Sequence, residues 1–162
     1  MSFSGTSGGS ATNLQIPGTV TGEDDFAGTG PLGAFTLRNV LAQNTSPDPS
    51  GICPSATQTY FAEPGGGGVF RFQDGSLLKI TLTHGYDCID FTALVAHCVF
   101  TFQIVGGTGR FKDASGMLTM TETVSPVLAD ATNNPVFFAA TGEITGAISG
   151  ATWERDGHEE PQ

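Results

Sequence analysis

The chain has 162 residues, the length of a single domain able to bury a core, and hydrophobic residues make up 38% of it. A formal net charge of −10 against only six Lys and Arg argues against a nucleic-acid groove or a surface for anionic membranes, and is read as solubility. No apolar run approaches the ~20 residues needed to span a bilayer.

Residues 1–13 are rich in Ser, Gly and Thr and read as a flexible lead-in. They lack the basic and apolar parts of a signal peptide. The protein is then either intracellular or secreted with its signal removed and a new Met added, and the composition favours the second. A short strand is expected over Leu14–Val20, broken at Pro17, followed by an acidic, glycine-punctuated loop over Gly22–Gly33. Glu23, Asp24 and Asp25 lack the ligand spacing of a calcium loop and read as a solvated turn. Ala34–Leu41 alternates as a strand, residues 43–56 with three prolines form a loop, and Thr57–Glu63 is a strand ending at Pro64. Gly65–Gly68 reads as a flexible turn into the strand VFRFQ, and Asp74-Gly75 is the chain's strongest hairpin signal.

Three strands organise the rest: Leu77–His84, Cys98–Val105 and Gly116–Val124. Each alternates with a period of two, the mark of a strand with one buried face. A long loop is expected between the first two, and the string GGTGRFKDASG (106–116) joins the second to the third. That string is no phosphate loop, because it lacks the Lys-Ser/Thr pair and runs into a strand rather than a helix. It reads as a tight corner with Phe111 folded back over the end of the sheet. After a loop over 125–135, Val136–Gly150 supplies the closing strands, and residues 153–162 form a charged tail. About seven or eight strands spaced for hairpins, with no crossover helix, make an all-β antiparallel barrel or sandwich over 14–152.

Cys53, Cys88 and Cys98 lack the paired short spacing of a metal site, and no metal is expected. A Cys88–Cys98 disulfide would close the loop between two central strands. Buried thiols are the alternative, and Cys53 is a further possible partner.

Gly106, Gly107, Thr108, Gly109, Phe111, Ala114 and Gly116 resemble the GGTGxFxxAxG signature of the allene oxide cyclase and dirigent protein superfamily. The preceding FRFQDGSLLKITL and the later FFAATGEITG are similar to its flanking strands, so the resemblance covers about half the chain. It implies an eight-stranded antiparallel barrel around an apolar cavity, often a trimer, acting on a hydrophobic small molecule without a cofactor. One branch cyclises a fatty-acid epoxide and the other steers the coupling of phenolic radicals. The matched residues are structural, and no catalytic residue is carried over.

Parity offers an independent route to a site. Polar residues that continue an apolar, inward series are Asn39 after Phe35 and Leu37, His84 after Leu78, Ile80 and Leu82, and Glu122 after Leu118 and Met120. His84 and Glu122 end strands of the same direction with one strand between, which places them roughly 9.6 Å apart at one barrel mouth. Glu122 facing an apolar lumen would be a proton donor or acceptor, with His84 exchanging a proton and Asn39 holding a substrate oxygen. Leu82, Phe100, Phe102 and Met120 would form the apolar floor. The plainer alternative makes Glu122 and His84 solvated rim residues and Asn39 a partner for backbone. His97 beside Cys98 is rejected as a base–nucleophile pair, because neighbours on a strand face opposite sides. Two functions are weighed: the resemblance implies a cofactor-free barrel that binds a hydrophobic small molecule and steers its cyclisation or isomerisation, and the alternative is a secreted structural barrel whose lumen is filled by Phe70, Phe72, Phe100 and Phe102.

Overall fold

A computed structural model describes residues 1–152. Nine strands form one sheet: β1 (Ser2–Gly9), β2 (Thr19–Thr29), β3 (Phe35–Asn44), β4 (Thr59–Ala62), β5 (Gly65–Phe72), β6 (Leu77–Asp90), β7 (Val95–Gly107), β8 (Ser115–Ala129) and β9 (Pro135–Ser149). Eight of them run in the order β6-β5-β3-β2-β1-β9-β8-β7, every pair antiparallel, and β7 pairs back onto β6 to close a barrel. The ninth, β4, pairs with the second half of β6 (Thr59↔Ile89 to Ala62↔Tyr86), above the half that β5 occupies. Closure leaves those eight strands without a free edge. The expected tail, and Trp153 within it, lie outside the described residues.

Alternation drives the core. Eight of the twelve phenylalanines are buried, among them Phe3, Phe26, Phe35, Phe70, Phe72 and Phe111. Each contributes roughly 1.5–3 kcal/mol of burial. The 106–116 corner takes the expected form, with one 3₁₀ turn at Gly109–Phe111 and Phe111 fully buried against Phe72 at 4.8 Å between ring centroids. Gly109 has φ +57°, and a Cβ at Gly107 would run into the Leu77 carbonyl and into Phe111. The Arg110 guanidinium lies 4.9 Å over the Phe72 ring and 4.8 Å over Phe111, and its Nε meets Asp74 at 3.1 Å. This end of the barrel is shut.

Several sequence expectations are corrected. Residues 2–9 are barrel strand β1, not a lead-in: Phe3 enters the core, and β1 bridges β2 and β9. Residues 22–29 belong to β2 rather than to an acidic loop, while Leu14–Val20 is mostly loop. The acidic side chains are tolerated in β2 because Glu23 and Asp25 face outward toward Arg38 on β3, with which they pair. The tetraglycine is not a flexible turn but the start of β5. A Cβ at Gly68 would lie 2.8 Å from Asn39 Cβ and 2.9 Å from the Arg38 carbonyl, so glycine permits close strand approach there. The long loop after His84 is absent, because β6 and β7 continue as a paired hairpin to Asp90↔Val95. Finally, the disulfide is Cys53–Cys88, tying the β3–β4 loop to β6, and Cys98 is a free, buried thiol. Cys88 and Cys98 are offset by one position in the β6–β7 register, so their side chains leave opposite faces of the sheet (Asp87↔Cys98, Cys88↔His97).

Candidate functional site

The opposite end of the barrel is open. There a cavity of about 260 Å³ is walled by residues including Asp24, Gln43, Glu63, Asp87, Cys98, Phe100, Glu122 and Phe138. A β-bulge decides which side chains of β6 reach it. Leu82 pairs with Phe102 but His84 pairs with Thr101, so Thr83 is an extra residue and the alternation changes phase. Beyond the bulge Gly85 and Asp87 point inward, while His84 is exposed and packs outside against Tyr86, at 5.9 Å between ring centroids. His84 therefore does not face the lumen, and the expected His84–Glu122 pair does not form.

Glu122 does face the lumen. It is 7% exposed and lies across from Cys98, which in turn lies across from Asp87. Three adjacent strands thus carry a carboxyl, a thiol and a carboxyl at one level. Glu63 joins them from the junction of β4 and β5, where its backbone N–H donates to the Gly85 carbonyl at 2.8 Å. Gly85 makes room for it: a Cβ there would lie 3.0 Å from Glu63 Cβ and 2.9 Å from the Phe100 ring. Asp24 comes from β2, opposite Ser7 on one side and Asn39 on the other.

Burial dominates the electrostatics of this cluster. It pushes Asp24 up to about 6, with the Asp87 charge adding to the rise and the Ser7 and Asn39 side chains opposing it. It pushes Glu63 up to about 10, helped by the negative charge of Asp87 and by a hydrogen bond in which protonated Glu63 donates to Asp87. Asp87 is raised by the same burial, against hydrogen bonds donated by the Cys98 thiol, Glu63 and the Gln43 amide. Glu122 and the Cys98 thiol are also held well above their ordinary values by burial and by the neighbouring carboxylates. Glu63 and Asp87 are two interacting buried carboxyls, so their titration belongs to the pair.

The cluster is not saturated. One oxygen each of Glu63, Asp87 and Glu122 is buried with no hydrogen-bond partner among the described residues. The Asn39 amide is near enough to favour the Asp24 carboxylate, yet neither of its polar atoms reaches bonding geometry. Orphaned buried polar atoms are rare enough in folded proteins to require an explanation.

Of the other expected site residues, Phe100 lines the cavity and Asn39 is buried beside Asp24. Phe102 and Met120 lie deeper, fully buried in the packed half, and Leu82 is half-buried against it. Sequence parity missed Asp24, Glu63 and Asp87. For Asp24 the signal existed, since it shares parity with Phe26, but an acidic stretch of β2 read as loop. His97 faces outward to Thr123, its Nδ1 3.3 Å from Oγ1, as the rejection of a Cys98–His97 pair requires. Among the described residues, no three His, Cys, Asp or Glu side chains are grouped to hold a metal ion. Compared with models of protein families the chain matches none, and it has no significant match among curated proteins.

Proposed function

We propose that the protein is a cofactor-independent barrel that takes a small, largely hydrophobic molecule into its open end and moves protons on it, as in an isomerisation or cyclisation. The observation that carries this reading is the Glu63–Asp87 acid–base pair on the wall of a 260 Å³ cavity. Glu63 holds its proton at neutral pH and delivers it to a substrate oxygen. The neighbouring Asp87 carboxylate accepts a proton from an adjacent carbon or hydroxyl. The substrate gains one proton and loses another, so the reaction is an isomerisation that needs no redox partner. Apolar walls at Leu41, Ile89, Phe100 and Val124 hold the rest of the molecule and keep bulk water from the pair.

On this reading the chain is a distant relative of the allene oxide cyclase and dirigent barrels, and the 106–116 corner is the part it shares with them. The Cys53–Cys88 disulfide supports secretion into an oxidising compartment. A homotrimer is proposed on the resemblance alone. The packed half supports a lesser version of the alternative, a structural barrel with a filled lumen, but its phenylalanines stop short of the open end.

Binding is tested with 1-naphthol, a neutral aromatic small enough for the cavity, followed by backbone amide shifts. The expected result is saturable shifts around Glu63, Cys98 and Glu122 with none around Phe111, and their loss in Ala96→Trp, which fills the cavity. Shifts spread over the outer surface, or none at all, would overturn the site. For any compound the barrel converts, Glu63→Gln should stop conversion while binding persists.

A further inference from the structure

Four carboxyl side chains, from β2, the β4–β5 junction, β6 and β8, converge on the open cavity, and among the described residues no Lys, Arg or His lines it. Arg38, on the neighbouring β3, faces outward to Glu23 and Asp25. All four carboxyls are buried, at 5–7% exposed, and Glu63, Asp87 and Glu122 each carry an oxygen with no partner among the described residues. A buried carboxylate oxygen without a donor is costly, so a ligand that reaches these oxygens is favoured if it donates to them, most of all if it is positively charged. The acidic groups are not clustered as ligands for a metal ion among the described residues, which points to an organic cation. The remaining wall is apolar, through Val20, Leu41, Ile89, Phe100, Val124 and Phe138.

We infer that the ligand of this cavity carries a protonated nitrogen, a primary or secondary ammonium on a compact apolar body, with its N–H groups donated to Glu122, Asp87 and the neighbouring Asp24. The inference rests on the small-molecule site proposed above and specifies the ligand's charge. The cavity of about 260 Å³ holds about nine water molecules' worth of space at ~30 Å³ each, enough for one ring and a short amine chain. An ammonium replaces protons that burial otherwise keeps on the cluster. The groups facing it are Asp24 from β2, Glu63 from the β4–β5 junction, Asp87 from β6, the Cys98 thiol from β7 and Glu122 from β8; β1, β3 and β9 present Ser7, Gln43 and Phe138, none of them charged. Binding should therefore strengthen as pH rises from 5 to 8 and release protons into the buffer.

The test compares three probes of one shape on the oxidised, full-length chain by calorimetry: 2-phenylethylamine, neutral 2-phenylethanol and anionic phenylacetate. At pH 8 the amine should bind about tenfold or more tighter than the alcohol, with phenylacetate weakest. The binding enthalpy of the amine should vary with the ionisation enthalpy of the buffer. Glu122→Gln, which removes a charge without removing volume, should weaken the amine about tenfold and the alcohol far less. Asp87→Asn, should Glu122→Gln fail to fold, provides the same comparison. Equal binding of amine and alcohol would overturn the ammonium assignment while leaving the small-molecule site standing. Binding of none of the three would overturn both.

Discussion

At the closed end of the barrel, Phe35, Phe70, Phe72 and Phe111 meet in one aromatic plug beneath the Arg110 guanidinium. At the open end β2, β6 and β8 turn Asp24, Asp87 and Glu122 inward around a cavity. The change happens within single strands: β8 passes from Leu118 and Met120 to Glu122, and β2 from Phe26 to Asp24. One half stores the packing energy, and the other uses part of it to hold carboxyl groups in a place that disfavours their charge. Stability and chemistry are therefore separated along the barrel axis.

The comparison is sharpened first at the plug. Phe111→Ala should lower unfolding free energy by about 3–5 kcal/mol in denaturant titrations. Phe138→Ala, half-buried on the open rim, should lower it by no more than about 1 kcal/mol. Equal losses would mean that the two ends do not divide the work as described. The disulfide comes next. Peptide mapping without reductant should recover Cys53 linked to Cys88 and Cys98 as a free thiol. Reducing this bridge, whose sequence separation is 35, should remove about 3–4 kcal/mol.

The third prediction concerns the open end and has a pH sign. Asp24 binds its proton more tightly folded than unfolded, with a pKa raised from 3.8 to about 6. Its contribution is complete below the unfolded value and is lost as pH rises through the folded one. Glu63 acts in the same direction over a window from 4.5 to about 10. The protein should be most stable near pH 4 and lose stability toward pH 8, of order 3 kcal/mol from Asp24 alone. Glu122→Gln should flatten the profile, matching wild type near pH 4 and exceeding it by roughly 1–3 kcal/mol at pH 8. A variant less stable than wild type at pH 8 would show that Glu122 is held by interactions its amide cannot replace. The smallest effect is expected at His84: His84→Ala should change stability by less than about 0.5 kcal/mol and leave ligand binding intact, since the side chain is exposed outside the barrel.

The fold was legible where alternation is uninterrupted. Phe100, Phe102 and Ile104, or Leu118, Met120 and Glu122, announce their inward face directly, and the glycine corner announced its turn. Legibility failed where local composition and tertiary environment disagree. Thr83 is an ordinary residue, and nothing about it marks a bulge, yet it exchanges His84 for Asp87 at the cavity. Gly65–Gly68 and Ser2–Gly9 read as flexible because glycine and serine are poor strand formers, but barrel closure supplies the partners that hold them extended. Asp24 reads as solvated because acidic residues normally are. Glu63 lies at the strand junction, where parity has no purchase, and only the fold brings it to Asp87.

The most direct test of the account is a carboxyl titration of the oxidised protein by NMR with side-chain carboxyl carbons labelled. The account predicts that Asp24 titrates with an apparent midpoint near 6 and that Glu63 keeps its proton to about 10, with Asp87 and Glu122 also displaced upward. Midpoints for all four within the ordinary range of about 3.5–4.5 would contradict it, because solvated carboxylates at the open end would be a rim and not a site.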